Sequence, residues 1–104
     1  MKFDEARDYV QMRNGSSFVG VVTQKNLSVE LGIATKPMKV ATAKILHIVF
    51  SNKYGYAADE LNFKDGSSLQ GKVLDAKIKL RSETLGDIEI PTKNVLAIQF
   101  LGNL

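Results

Sequence analysis

Few side chains in this 104-residue sequence have obvious chemical potential. His47 is the only histidine, and there is no cysteine. A metal site would need carboxylates beside that one imidazole, and none falls within several residues of it. Its place between Leu46 and Ile48 points to a packed or interface histidine. The pairs Ser16-Ser17 and Ser67-Ser68 each follow a glycine. A nucleophilic serine needs an adjacent base and an oxyanion site, which two equivalent pairs sharing one distant histidine do not supply. Turn hydrogen bonding is their expected role. The eleven aspartates and glutamates are scattered, with no paired arrangement for acid–base work. The expectation is a protein that is not an enzyme, with no catalytic residue, no metal and no cofactor.

Two groups remain as candidate contact residues. Lys72, Lys77, Lys79 and Arg81 form the densest basic group. Lys77, Lys79 and Arg81 alternate with Ile78 and Leu80, so they share one face of a strand. Such a stripe could follow a phosphate backbone, or it could be a solvated face that discourages edge pairing. Glu83, Asp87 and Glu89 nearby favour the second reading. Tyr54 and Tyr56 flank Gly55. They could stack on bases, but covering the junction between two packed units is the role expected of them.

The elements that position these residues read as short strands. Asn14-Gly15 and Asp65-Gly66 are hairpin turns, because both residue types tolerate positive φ. A strand follows each turn, with Gly20 or Gly71 inside it. An interior glycine marks a bulge, a bend or a close backbone approach. Leu27–Leu31 and Lys77–Arg81 alternate at period two, as half-buried strands do. Short strands around Val40, Ile45–Phe50, Ile88–Ile90 and Val95–Phe100 complete the pattern. Asp4–Asp8 is polar and tolerates one or two helical turns.

The pattern occurs twice. Laying Gly15 on Gly66 also matches Ser16, Ser17, Gly20 and Val22 with Ser67, Ser68, Gly71 and Val73. After the loss of one loop residue, Val40, Thr42, Leu46, Ile48 and Phe50 fall on Ile90, Thr92, Leu96, Ile98 and Phe100. The repeat predicts an all-β fold of two tandem units related by a pseudo-twofold axis. Each has about five short antiparallel strands, as a curled sheet or small open barrel. The expected division is residues 1–52, a first unit with a short polar N-terminal segment, then a linker over 53–59 and a second unit over 60–104. The expected core is Val22, Leu27, Val29, Val40, Leu46, Ile48 and Phe50 with their counterparts. That assignment puts Ile45, His47 and Val49 on the outer face of the first unit, where two apolar residues imply that it is covered by the second unit or by a partner chain.

The run from Leu61-Asn62-Phe63-Lys64-Asp65-Gly66 through Gly71-Lys72-Val73 to Ile98 resembles an Sm-like domain. The first half resembles it more weakly. A similar pattern recurs in tandem in uncharacterised bacterial proteins. The resemblance implies small Sm-like barrels and RNA as a ligand. The Asp-x-apolar-Asn segment that holds bases in that family is replaced here by Asp75-Ala76-Lys77-Ile78 and Gln24-Lys25-Asn26-Leu27. Its Arg-Gly or Lys-Gly pair is replaced by Pro91-Thr92 and Ala41-Thr42. Any RNA contact would therefore fall to the lysine stripe.

The absence of cysteine excludes disulfides and fits a reducing, cytoplasmic compartment. No apolar run reaches the roughly 18 residues of a membrane span, so no membrane contact is expected. A net charge of +3 is compatible with an acidic partner without specifying one. The leading expectation is a protein-interaction or self-assembly module, with a nucleic-acid-binding Sm-like protein as the alternative.

Overall fold

The computed structural model describes residues 7–31, 36–50 and 58–100. The segment before Arg7 and most of the expected linker lie outside these ranges. Ten strands form one antiparallel sheet. They are β1 (Asp8–Met12), β2 (Ser17–Val22), β3 (Asn26–Glu30), β4 (Met38–Ala41), β5 (Ile45–Val49), β6 (Asp59–Phe63), β7 (Ser68–Val73), β8 (Lys77–Ser82), β9 (Gly86–Pro91) and β10 (Val95–Gln99). The all-β expectation holds. β1 begins at Asp8 and β6 at Asp59, so both aspartates belong to strands rather than to a helical turn or a linker.

The spatial order is β4-β3-β7-β6-β5-β10-β1-β2-β8-β9. Exchanging β1–β5 with β6–β10 reverses this order and leaves it otherwise unchanged. At its centre β5 and β10 pair with Ile48 opposite Ile98. The two halves do not form separate barrels. β2 pairs with β8, and β3 pairs with β7, so each half lends two strands to the other's flank.

The crossing happens at the two interior glycines. The first part of β2 pairs with β1, where Asp8 faces Gly20. From Gly20 onward β2 pairs with β8. β7 does the same at Gly71, leaving β6 for β3. A Cβ on Gly20 would sit 2.3 Å from the Arg81 carbonyl oxygen, and one on Gly71 would sit 2.8 Å from that of Glu30. The close-approach reading of these glycines is the one the structure shows.

The Val22 N–H, on a residue paired with β8, donates to Asp8 Oδ2 at 2.9 Å. Val73 N–H donates to Asp59 Oδ2 at the same distance. Both carboxylates are buried. Removing either one strands an N–H away from water, at a cost of about 1–3 kcal/mol. Asp8→Ala and Asp59→Ala should each lower denaturant stability by that amount. The matching Asn variants, which keep an acceptor oxygen, should lose less. Equal losses from Ala and Asn would show that the acceptor does not matter.

The core lines the concave side. Val10, Leu27, Val29, Ile45, Ile48, Leu61, Ile78, Leu80, Val95 and Ile98 are all at most 1% exposed. Two core assignments need correction. Ile45 and Val95 are inside, Leu46 is 37% exposed and Leu96 is half-buried. The cause is a pair of matched bulges. Ile45 and His47 face consecutive β6 residues, Phe63 and Asn62. Val95 and Ala97 likewise face Met12 and Gln11 on β1. Leu46 and Leu96 are the extra residues, and an inserted residue flips the face of everything before it. The carbonyls of both bulged leucines accept from the opposite half, Leu46 from Phe100 N–H at 2.8 Å and Leu96 from Phe50 N–H at 2.9 Å.

Candidate functional site

The bulges decide which side chains reach the outer face of the central strands. Ile45 has no exposed surface, so it leaves the expected interface for the core. Val49 stays outside at 37% exposure. His47 is half-buried on that face, with its Nδ1 3.5 Å from the Asn62 amide nitrogen. Tyr54 and Tyr56 lie outside the described residues.

Cross-strand register places further apolar residues beside Val49. Tyr9 stands opposite Gln99 on one side and Val19 on the other. Val49 stands opposite Ala97, which lies diagonal to Tyr9. Val21 extends the row along β2, opposite Arg81. Tyr9, Val19 and Val21 are 37%, 46% and 48% exposed. The positions that match them on β6 and β7 are Glu60, Gln70 and Lys72, which are exposed as well. The same backbone site thus carries an apolar side chain in one half and a polar one in the other. This contrast could have been read by aligning the two halves, because Val19 and Val21 occupy the places of Gln70 and Lys72.

The basic residues regroup. Lys77, Lys79 and Arg81 do share the exposed face of β8. Across to β9, Lys77 Nζ lies 3.2 Å from Glu89 and Arg81 Nε lies 3.1 Å from Asp87. Both pairs are solvent-exposed, where such contacts contribute little. Lys72 is elsewhere, on β7 opposite Glu30. Lys77 and Lys79 instead face Lys25 and Lys39, which the sequence did not bring together with them. These four lysines, with Gln24, Asn26, Ser28, Asp75 and Ala76, line a shallow groove of about 520 Å³.

The groove lies where the two connections cross, residues 23–25 after β2 and 74–76 after β7. Their backbones are tied down from several directions. Thr42 Oγ1 donates to the Gln24 carbonyl at 2.8 Å, and Thr92 Oγ1 to that of Asp75 at 2.6 Å. Gln24 Oε1 accepts from Lys79 N–H, and its Nε2 donates to the Lys77 carbonyl. Asp75 Oδ1 accepts from Ser28 N–H at 2.7 Å.

The serine pairs act in turns. Asn14 Oδ1 accepts from Ser16 N–H, and Asp65 Oδ1 from Ser67 N–H at 2.8 Å. The backbone N–H of Ser67, followed by its hydroxyl, holds the Asp65 carboxyl below the ordinary aspartate value. Among the described residues, no group of three or more His, Cys, Asp or Glu side chains is arranged to hold a metal ion. No described helix is long and apolar enough to cross a membrane. No protein-family model matches the chain, and no curated protein and no solved structure matches it either.

Proposed function

We propose that the chain is a non-enzymatic interaction module that associates with a second copy of itself through the outer face of β5, β10, β1 and β2. The observation that carries this reading is the contrast between the two halves. Glu60, Gln70 and Lys72 show that the fold tolerates polar residues at these outward positions. Tyr9, Val19 and Val21 are therefore not required by the fold, and exposed apolar clusters of this kind mark contact surfaces. A second copy suits the rim. Arg81 and Asp87 flank Val21 with opposite charges, and a patch carrying both signs can be self-complementary across a twofold axis.

Origin of the two halves from one copied unit, with an Sm-like ancestry, is part of the same proposal. It is supported by the palindromic strand order and by the matched glycines, aspartates and bulges. A cytoplasmic location belongs to it too, supported by the absence of cysteine.

Sedimentation velocity over a concentration series tests the association. The wild type should gain mass with concentration. Val19→Gln/Val21→Gln should remain monomeric while its unfolding free energy changes by no more than about 1 kcal/mol. A wild type that stays monomeric throughout, or a variant that associates equally well, would remove the reading.

A further inference from the structure

We propose that the groove at the crossing of the two connections binds a linear phosphate-bearing polyanion. Lys25, Lys39, Lys77 and Lys79 come from three elements, namely the β2–β3 connection, β4 and two positions on β8, and all line one concavity. Of the four, only Lys77 has an ion-pair partner among the described residues. The carboxylate within the groove, Asp75, is turned to the Ser28 N–H. Four ammonium groups thus line one concavity in which Asp75 is the one carboxylate among the described lining residues, so positive charge is in excess there, on a backbone that hydrogen bonds have already fixed. Such convergence is unfavourable unless solvent ions or a ligand screen it. An anionic ligand that spans the groove gains from all of them at once.

The lining also says how the ligand is read. Among the described residues it contains no aromatic side chain and no arginine. Bases therefore have no stacking platform, and no planar fork is present for bidentate recognition. Lysines act as point charges, so the contact is to phosphates and is independent of sequence. Two sources carry this chemistry, the backbone of a single-stranded nucleic acid and a free polyphosphate.

Fluorescence anisotropy with the intact chain and a labelled mixed-sequence oligonucleotide of about 12 nucleotides tests the site. Inorganic tripolyphosphate serves as the competitor, over about 50–200 mM salt. The expected result is binding that tripolyphosphate displaces. Its log–log salt slope should be about −2 to −3, from three or four contacts. Lys25→Ala/Lys79→Ala should weaken it roughly tenfold and flatten the slope by about 1.4, at about 0.7 for each contact removed. Lys72→Ala, outside the groove, should change it by less than about twofold. Lys39→Glu, on the opposite wall, should weaken it at least as much as the double alanine variant, which guards against a folding defect in the latter. Tripolyphosphate binding without oligonucleotide binding would still support the site and name the free polyphosphate as its source. The proposal is overturned if neither probe binds at low salt. It is also overturned if tripolyphosphate fails to displace the oligonucleotide, or if Lys72→Ala weakens binding as much as the groove variants. Val19→Gln/Val21→Gln should leave this binding unchanged, which separates it from the association through the outer face.

Discussion

Gly20→Val should be the most damaging single substitution in the chain, costing at least about 3 kcal/mol of the roughly 5–15 kcal/mol ordinary for a domain. The reason is distance alone. A Cβ at position 20 would lie 2.3 Å from the Arg81 carbonyl oxygen and 3.0 Å from its carbon. Both are backbone atoms of the paired strand β8, so no rotamer change relieves the contact. β2 and β8 would have to part, and their separation carries the ladder at Gly20–Ser82, Val21–Arg81 and Val22–Leu80. The Val22 N–H that Asp8 satisfies would move with them. Gly71 faces a milder version, with Glu30 O and Val29 Cγ1 both at 2.8 Å, so Gly71→Ala should cost less than Gly20→Ala. Gly15 and Gly66 offer a control of a different kind. They have open space around them but φ of 95° and 94°. Alanine there costs only the left-handed conformation, about 1–2 kcal/mol. Urea unfolding of the four alanine variants and Gly20→Val should give the order 20 above 71, with 15 and 66 smallest. A Gly20→Ala variant as stable as Gly15→Ala would show that β2 and β8 do not approach as described.

These glycines mark how much of the molecule the sequence discloses. The turns, the alternation and the repeat are local signals, and they predict the strands and the pseudo-twofold order. The exchange of partners at Gly20 and Gly71 is not local. A glycine announces a close approach but not which strand approaches, so the halves read as tandem units although their strands interleave. Asp8 and Asp59 look like surface carboxylates until each is seen buried and accepting from a backbone N–H, that of Val22 and that of Val73. The groove is hidden for the same reason. Lys25 and Lys39 are distant in sequence from Lys77 and Lys79, and only the crossing connections put them on one surface. Arg81 and Lys72, grouped with the stripe by proximity in sequence, point to other neighbours.

The face assignment of β5 gives the second large effect. Ile45→Ala should cost about 2–5 kcal/mol, whereas Leu46→Ala should cost under about 1 kcal/mol. Period two counted back from Phe50 makes the opposite prediction, with Leu46 inside and Ile45 outside. Both residues are apolar, so composition cannot choose between them. The bulge does. One residue more on β5 than on β6 between Ile45 and His47 turns Ile45 inward, where it is fully buried against the core that holds Ile48 and Leu61. Truncating it leaves a cavity that the surrounding β-branched side chains cannot fill without moving strands. Leu46 retains its main contribution through its backbone, since its carbonyl accepts from Phe100 N–H whatever the side chain. The second half repeats the experiment with different residues: Val95→Ala should be costly, and Leu96→Ala, whose side chain is half-buried, should fall between the two cases. Chemical denaturation of these four variants checks the assignment. If Leu46→Ala proves the more destabilising, the bulge is misplaced, and Ile45 returns to the outer face beside His47 and Val49. The apolar surface proposed for association would then be larger, and centred on β5 rather than on β1 and β2.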